Sequence, residues 1–416
     1  MSRSTIGTRY WRRWFAPASV VLLVVPYATG CIQYFAGQGT LPIRPALLLA
    51  ITAMLVGLNV FGSRPRLPRS VLLLLVLLGL RVASAIVEEN IEERTILEES
   101  ITTTYGASFL FALALLGMTG DQLTVRRSSV FCSLVTIAVV AGLNSWEWQY
   151  PGYFSNVPGR SAGWLENANG AALVLSVMTA VFLSLRLPVS ICVAIAGLSA
   201  LGTYFTLSRA GFLIWPIIFV AYLFLVVRTK PIKLVVMCIS SAIVVLLLFM
   251  FADLTPAFGD EDLFYRQRLL TGETQIDFTG DSRAIAAIES WHGILKKPIL
   301  GYGSGVTLGY PFTPHNQLLG VWLENGLLGM LLFATALFSL LRECWIGDKG
   351  LLVCCVPLIA FIPFNHNLLE DKSYVFAWVM AAAMASRHER LGPQTRTKAV
   401  VNPMKVLGKY RRPGVR

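Results

Sequence analysis

Apolar residues run in blocks long enough to cross a bilayer along nearly the whole chain. Twelve such blocks stand out, at about 15–35, 43–61, 69–87, 103–120, 128–145, 168–185, 188–206, 210–227, 232–252, 316–341, 350–365 and 373–386. Runs of roughly 18 or more apolar residues read as membrane helices, so the pattern predicts an all-α, polytopic membrane protein with about twelve transmembrane helices. The polar intervals are short except one, 253–315, which is the only long loop. A loop of that length carries structure or function of its own, and within it the Asp281-Ser282 pair predicts a capped helix over 282–295. The chain divides into N-terminal helices (1–145), a central region (146–375) that includes the loop, and a last helix end with a basic tail (376–416).

Charge placement orients these helices. With Arg3, Arg9, Arg12 and Arg13 in the cytoplasm, the inner loops carry Arg64, Arg66, Arg69, Arg126, Arg127, Arg186, Arg228, Lys230, Lys233, Arg342 and Lys349, and the tail from Arg387 to Arg416 is basic as well. Of the 23 acidic residues only Asp121, Glu343, Asp348 and Glu389 fall on that side. This asymmetry is what the positive-inside rule requires, and it puts both termini in the cytoplasm. The net charge of +12 is explained by membrane topology, so it does not point to nucleic acid. The first block, with Arg12, Arg13 and Ala28-Thr29-Gly30-Cys31, also resembles a signal peptide or lipoprotein site; Cys31 is outside under either reading. Composition agrees with a membrane protein, with 55% hydrophobic and 14% charged residues against about 25% charged in soluble domains. The seven cysteines form no CxxC pair, and none lies in a long outer loop, which argues against a disulfide framework or a zinc site.

Candidate chemistry falls on the outer side. Thr313-Pro314-His315 reads as a helix cap followed by the first two helical positions, which sets His315 at the water boundary, where the helix dipole favours a neutral imidazole suited to accept a proton. The alternative is an interfacial histidine that only caps or packs. At about 100° per residue Trp322 and Gly326 fall within about 20° of His315 and Gly329 within about 40°, whereas Glu324 falls opposite. The two glycines either open a slot for a lipid tail or allow close helix packing, and packing is the stronger prior. Glu324 has no evident partner in sequence and is placed outside the site.

Four arginines could hold a phosphate. Arg209 is forced to the outer interface by the short turn in FTLSRAGFL; Arg283 lies in the long loop, downstream of Arg266 and Arg268; Arg160 precedes the sixth block; Arg81 lies inside the third, roughly 10 Å below its outer end at 1.5 Å per residue. A guanidinium fork matches pyrophosphate oxygens; the competing reading for each is snorkelling or an ion pair with a nearby acid. The glycines Gly301, Gly303 and Gly305 lack the flanking elements of a nucleotide loop and read as a turn back to the membrane. In the last outer loop, Asn365 to Lys372, a carboxylate at Glu370 or Asp371 could orient His315 or hold an acceptor. His292 reads as structural and His388 as part of the tail. No spacing of His, Asp and Glu argues for a metal, so the chemistry needs no cofactor.

These residues together resemble a known family. His315-Asn316, nine residues, Gly326, two residues and Gly329 match the histidine motif of the O-antigen ligase and polymerase superfamily. Pro298-Ile299-Leu300-Gly301-Tyr302-Gly303, Ser208-Arg209-Ala210-Gly211, and Arg160-Ser161-Ala162-Gly163 followed by Asn169 are similar to it as well. The resemblance covers about 150–375. It implies a metal-independent, GT-C-like glycosyltransferase of the bacterial inner membrane, acting at the periplasmic face on glycans carried by undecaprenyl pyrophosphate. It further implies His315 as the base that deprotonates an acceptor hydroxyl, Arg209 and Arg283 as pyrophosphate ligands, and an acid in the last outer loop as support. Asn316, Trp322, Gly326 and Gly329 would support the same site. The acceptor would be lipid A-core or a similar lipid or glycan. A polymerase working by the same chemistry shares these motifs. A transporter or flippase fits less well, because no half-to-half repeat is present and the polar cluster lies on the outer side instead of the midplane.

Overall fold

The computed structural model describes residues 4–41, 44–60, 67–89, 98–116, 122–156, 159–227, 282–309 and 314–388. All regular structure among them is helical: α1 (Ser4–Ala28), α2 (Cys31–Gly37), α3 (Pro45–Val60), α4 (Arg69–Glu89), α5 (Glu98–Leu116), α6 (Gln122–Gln149), α7 (Ala168–Ser184), α8 (Val189–Phe205), α9 (Arg209–Tyr222, continued by a wider turn over Leu223–Val227), α10 (Ser282–Lys296), α11 (Gln317–Gly347), α12 (Leu352–Ala360) and α13 (Lys372–His388). A helix therefore lies on each apolar block except 232–252. That block, the loop before Ser282 with Arg266 and Arg268, and the tail after His388 fall outside the described residues. Among the described residues, α4, α6, α9 with its continuation, and α11 are long and apolar enough to cross a membrane. A fifth span is added if α1 and α2, bent by 53° about Gly30, form one broken crossing.

Two helices form the centre. α7 is buried along almost its whole length, and α13 is buried from Tyr374 to Ala383. A helix that is apolar all round belongs in the middle of a bundle. The two pack against each other, with α6, α8, α9 and α12 around α7, and α1, α4, α5 and α11 around α13. Each ring helix keeps an exposed apolar face, such as Leu213 and Ile217 on α9 and Leu328 and Leu331 on α11.

Side-chain contacts fix which helix ends lie together. At one end Ser70, in the first turn of α4, donates from its backbone N–H to Glu343 of α11. Arg126 of α6 donates to the Leu185 carbonyl past the end of α7, and Arg186 pairs with Asp348 at 2.5 Å. Gly347 approaches the backbone of Ala385 so closely that an added Cβ would meet its carbonyl oxygen at 2.4 Å. The starts of α7, α9, α11 and α13 are therefore at the opposite end, and that end carries the candidate chemistry.

Candidate active site

The turn before α9 is built around Arg160. Its Nε donates to the Thr206 carbonyl at 2.9 Å, and its Nη2 donates to Asn169 Oδ1 at 3.0 Å. Ser208 Oγ donates to the same Asn169 oxygen at 3.0 Å and accepts from the Gly211 N–H, capping α9. Gly211 is needed for close approach, since a Cβ there would meet Ala172 and Thr203 at 2.9 Å. Arg160 is buried and used as a strut, while Arg209, the first residue of α9, is exposed at the tip of the braced turn. The loop behind it is organised by Glu147, which sequence reasoning missed. Its buried carboxylate accepts from the backbone N–H groups of Phe154, Ser155, Ala162 and Gly163.

Arg81 sits in a second, buried group. Its Nη2 donates to Glu324 Oε2 at 2.6 Å, Nη1 pairs with Glu370, and the guanidinium lies 4.3 Å from the centre of the Tyr105 ring. Tyr105 and Thr307 both donate hydroxyl hydrogen bonds to Glu324 Oε1, which also accepts from the Gly305 N–H. This corrects two sequence-based expectations. Glu324 is not a lone acid facing away; its partner comes from a helix 243 residues distant. Arg81 is committed to two carboxylates, which leaves its guanidinium serving the protein interior instead of a phosphate.

The glycine turn meets this group where α11 is broken. Gly326 has φ 64° and ψ −166° inside the helix, which removes the regular bonding of the turn before it. The freed carbonyls of Leu323 and Glu324 accept from Tyr302 and Gly303, each at 2.8 Å, while Leu327 donates to the Pro298 carbonyl at 2.9 Å. Trp322 Nε1 donates to that same carbonyl at 3.0 Å and the indole stands edge-on to Trp291. A Cβ on Gly326 would lie 2.0 Å from the Ile299 oxygen, and one on Gly301 would lie 2.4 Å from the Glu324 oxygen. Gly326 thus serves backbone-to-backbone packing, not a slot, and the column of Trp322, Gly326 and Gly329 beneath His315 does not form.

The cap of α11 lies three residues later than the motif suggests, so His315 falls before the helix and not in its first turn. Asn316, not Thr313, is the cap of α11, and its side chain accepts from Leu318 and Leu319; Thr313 falls outside the described residues. His315 therefore precedes the cap and is exposed, so the helix dipole acts on it less than a position in the first turn implies. The ring beside it is His366, from the loop between α12 and α13, with centroids 5.7 Å apart and planes at 73°. Gly320 leaves space for His366, whose Cβ and carbonyl would touch an added Cβ at 3.7 Å. Burial, and then the charge of His315, hold the His366 imidazole well below its usual range, at about 4; the charge of Glu324 opposes this.

The acids expected to support His315 have other duties. Asp371 caps α13, accepting from the N–H groups of Ser373 and Tyr374. Glu370 pairs with Arg81, and burial raises its proton affinity despite that partner. Arg283 lies in the first turn of α10, and its side chain is outside the described residues. Among the described residues no group of three or more His, Cys, Asp and Glu side chains is arranged to hold a metal ion. His366 was within reach of sequence reasoning, being one of four histidines and on the same outer loop as Glu370.

The family model described as O-antigen ligase matches residues 194–334. Arg209, Arg283, His315, Trp322, Gly326 and Gly329 lie inside the matched segment, whereas Arg81, Arg160, His366 and Glu370 lie outside it. No curated protein matches the chain.

Proposed function

We propose, from the premise that residues 194–334 belong to the O-antigen ligase family, that this membrane protein transfers a glycan from undecaprenyl pyrophosphate to an acceptor hydroxyl, with lipid A-core or a similar glycolipid as acceptor. The observation that carries the reading is that the exposed His315 and the exposed Arg209, the latter on a braced turn, lie at the same end of the bundle. The acceptor oxygen attacks the anomeric carbon and its proton passes to His315. The bond from that carbon to the pyrophosphate oxygen breaks, and undecaprenyl pyrophosphate leaves with its electron pair. One displacement of this kind inverts the anomeric centre.

Arg209 and Arg283 neutralise the charge that develops on the leaving group, a task that fixed guanidinium forks perform without a metal. Arg160 acts through Arg209 by holding its turn. His315 lies nine residues before Glu324, so the reacting centre is on the wet side of the buried charge group, where a hydrophilic glycan can reach it. The polyprenyl chain is left for the bundle's lipid-facing surface. In this reading the bundle has twelve spans in a GT-C-like arrangement in the bacterial inner membrane, both termini are cytoplasmic, and the His315 end is periplasmic. The basic side chains gathered at the other end, Arg69, Arg126, Arg186, Arg342 and Lys349, favour that orientation.

The test is transfer by purified protein in lipid nanodiscs supplied with a lipid-linked glycan and an acceptor. Transfer should release undecaprenyl pyrophosphate, persist in EDTA, and vanish in His315→Ala at unchanged thermal stability. Activity surviving in His315→Ala, or lost in EDTA, sinks the mechanism. A deletion strain separates the two family activities. Free lipid-linked polymer with bare core marks a ligase, and single repeats on the core mark a polymerase.

A further inference from the structure

We propose that α10 and the turn that follows it form an interfacial element seated in the outer leaflet, with Ile299 and Leu300 in the hydrocarbon of bilayer phospholipid. By sequence this segment belongs to the long outer loop. Its packing assigns it to the membrane boundary. Ala286, Ser290 and Ile294 are buried on the inward face of α10. Outward, at three- and four-residue spacing, stand Ile285, Ile288, Trp291, Leu295 and Ile299, all at least 40% exposed, and Leu300 beyond them is 84% exposed. From Ile285 to Leu295 that spacing keeps the exposed apolar residues on one side of α10, with the exposed His292 among them. A largely apolar face of this kind facing water is an aggregation liability. Against a bilayer it is the binding surface of an interfacial helix.

Depth supports the assignment. The turn over Pro298–Gly303 docks on α11 at Leu323–Leu327. Glu343 of α11 marks the opposite end of the bundle through its bonds to Ser70. From Glu343 to Leu327, the first residue past the break, is sixteen residues, about 24 Å at 1.5 Å per residue, which is within the roughly 30 Å of a bilayer's hydrocarbon. The turn therefore lies at the outer margin of the hydrocarbon. Irregular backbone is tolerated at that depth only when its polar groups are satisfied by protein; the break at Gly326 provides this, since its free carbonyls accept from Tyr302 and Gly303.

The polar flanks fit the headgroup level. Lys296 and Lys297 are exposed immediately before the Ile299–Leu300 tip, with the Lys297 ammonium 4.6 Å from the centre of the Tyr302 ring; cationic side chains there suit the headgroup level while their stems cover apolar surface. The Trp291 and Trp322 rings stand edge-to-face, 5.6 Å apart, at the level where aromatic side chains concentrate. Leu327, Leu328 and Leu331 continue the apolar surface down α11, so the tip joins a face that bilayer lipid already covers. The inference rests on the chain being a membrane protein and not on the proposed transfer.

The photo-crosslinking amino acid p-benzoylphenylalanine, introduced singly at positions 299, 300, 331 and 367 of the full chain, tests this in nanodiscs of phosphatidylethanolamine and phosphatidylglycerol without any glycan donor. Position 331 on the lipid face of α11 sets the full yield of phospholipid adduct, and exposed Asn367 on the last outer loop sets the aqueous baseline. Phospholipid adducts at 299 and 300 that match position 331 are expected. A yield at the level of position 367 overturns the proposal, as does crosslinking of 299 and 300 to a second copy of the protein instead of lipid. Transfer activity is not read, so failure of the functional reading leaves the result interpretable.

Discussion

The ring of His366 stands edge-to-face against that of His315, with centroids 5.7 Å apart. Because His366 is held neutral at ordinary pH, a proton taken by His315 produces an imidazolium beside an uncharged aromatic ring and not beside a second cation. In the proposed mechanism His366 would be a positioning residue for that base. Removing it should slow turnover without weakening substrate binding. His366→Ala is expected to lower kcat about ten-fold, a fraction of what a positioned base contributes, with KM for both substrates unchanged. His366→Phe, which keeps a neutral ring, should recover most of the loss. A wild-type kcat in His366→Ala would show that the two rings merely pack.

The same residue gives a pH signature in stability. The His366 pKa of about 4 lies below the ordinary histidine value of 6.5, so between those values the unfolded chain binds a proton that the folded protein refuses. Stability therefore falls as pH drops from about 6.5 to about 4 and levels off below, with a ceiling of about 3 kcal/mol on this contribution. Glu370, whose carboxyl is raised, works in the opposite direction, so the comparison must be between variants. Thermal unfolding in detergent should be less pH-dependent across this window in His366→Phe than in the wild type.

Breaking the buried charge group is expected to be costly. Arg81 and Glu324 are 2% and 1% exposed, and loss of one partner strands a carboxylate among apolar helices. Such losses run to about 3–5 kcal/mol. Arg81→Met leaves both Glu324 and Glu370 without their cation, so it should lower the melting temperature more than Glu324→Gln does, because Gln retains hydrogen bonding to Tyr105 and Thr307. Equal melting temperatures for wild type and Arg81→Met would mean the group is not structural.

How far the molecule was legible in its sequence varies with the range of the interactions. Helix positions were readable, because bilayer-length apolar runs and their punctuation are local signals; α7, α8 and α9 with its continuation fall within a residue or two of their expected bounds. The bracing of Arg209 was half readable, since FTLSRAGFL announces a tight turn, but Arg160 as the strut depends on Asn169 and Thr206 arriving from two other segments. The partnership of Arg81 with Glu324 was not readable, because nothing local links α4 to α11. The wheel under His315 failed for a definite reason. It assumes an unbroken helix starting at Pro314, whereas α11 starts after Asn316 and breaks at Gly326, where the turn after α10 supplies the missing hydrogen bonds.

That break gives a sharp prediction. Gly326 and Gly301 have positive φ and no space for a side chain, since a Cβ would lie 2.0 and 2.4 Å from backbone oxygens of the facing segment. A positive-φ backbone alone costs an L-residue about 1–3 kcal/mol, and the clash adds to it because neither backbone can yield independently. Gly326→Ala and Gly301→Ala should each lower the melting temperature and reduce transfer together. Gly106→Ala on α5 is the control, having nothing within 4 Å of an added Cβ; it should change stability by less than about 0.5 kcal/mol.

The two arginines at the α9 turn should separate stability from function. Arg160 donates to Thr206 and Asn169 from a buried position, so Arg160→Ala removes the brace, lowers the melting temperature and disturbs Arg209 with it. Arg209 is exposed at the first position of α9, so Arg209→Ala should leave the melting temperature within error and abolish transfer. Arg209→Lys is informative because it keeps the charge but loses the planar fork that matches two phosphate oxygens at once. It is expected to restore binding of the lipid-linked donor more than turnover, since leaving-group charge grows only as the bond to the anomeric carbon breaks. Donor titrations with melting curves on the same preparations check all three variants. Transfer by Arg209→Ala at the wild-type rate would remove this residue from the pyrophosphate site.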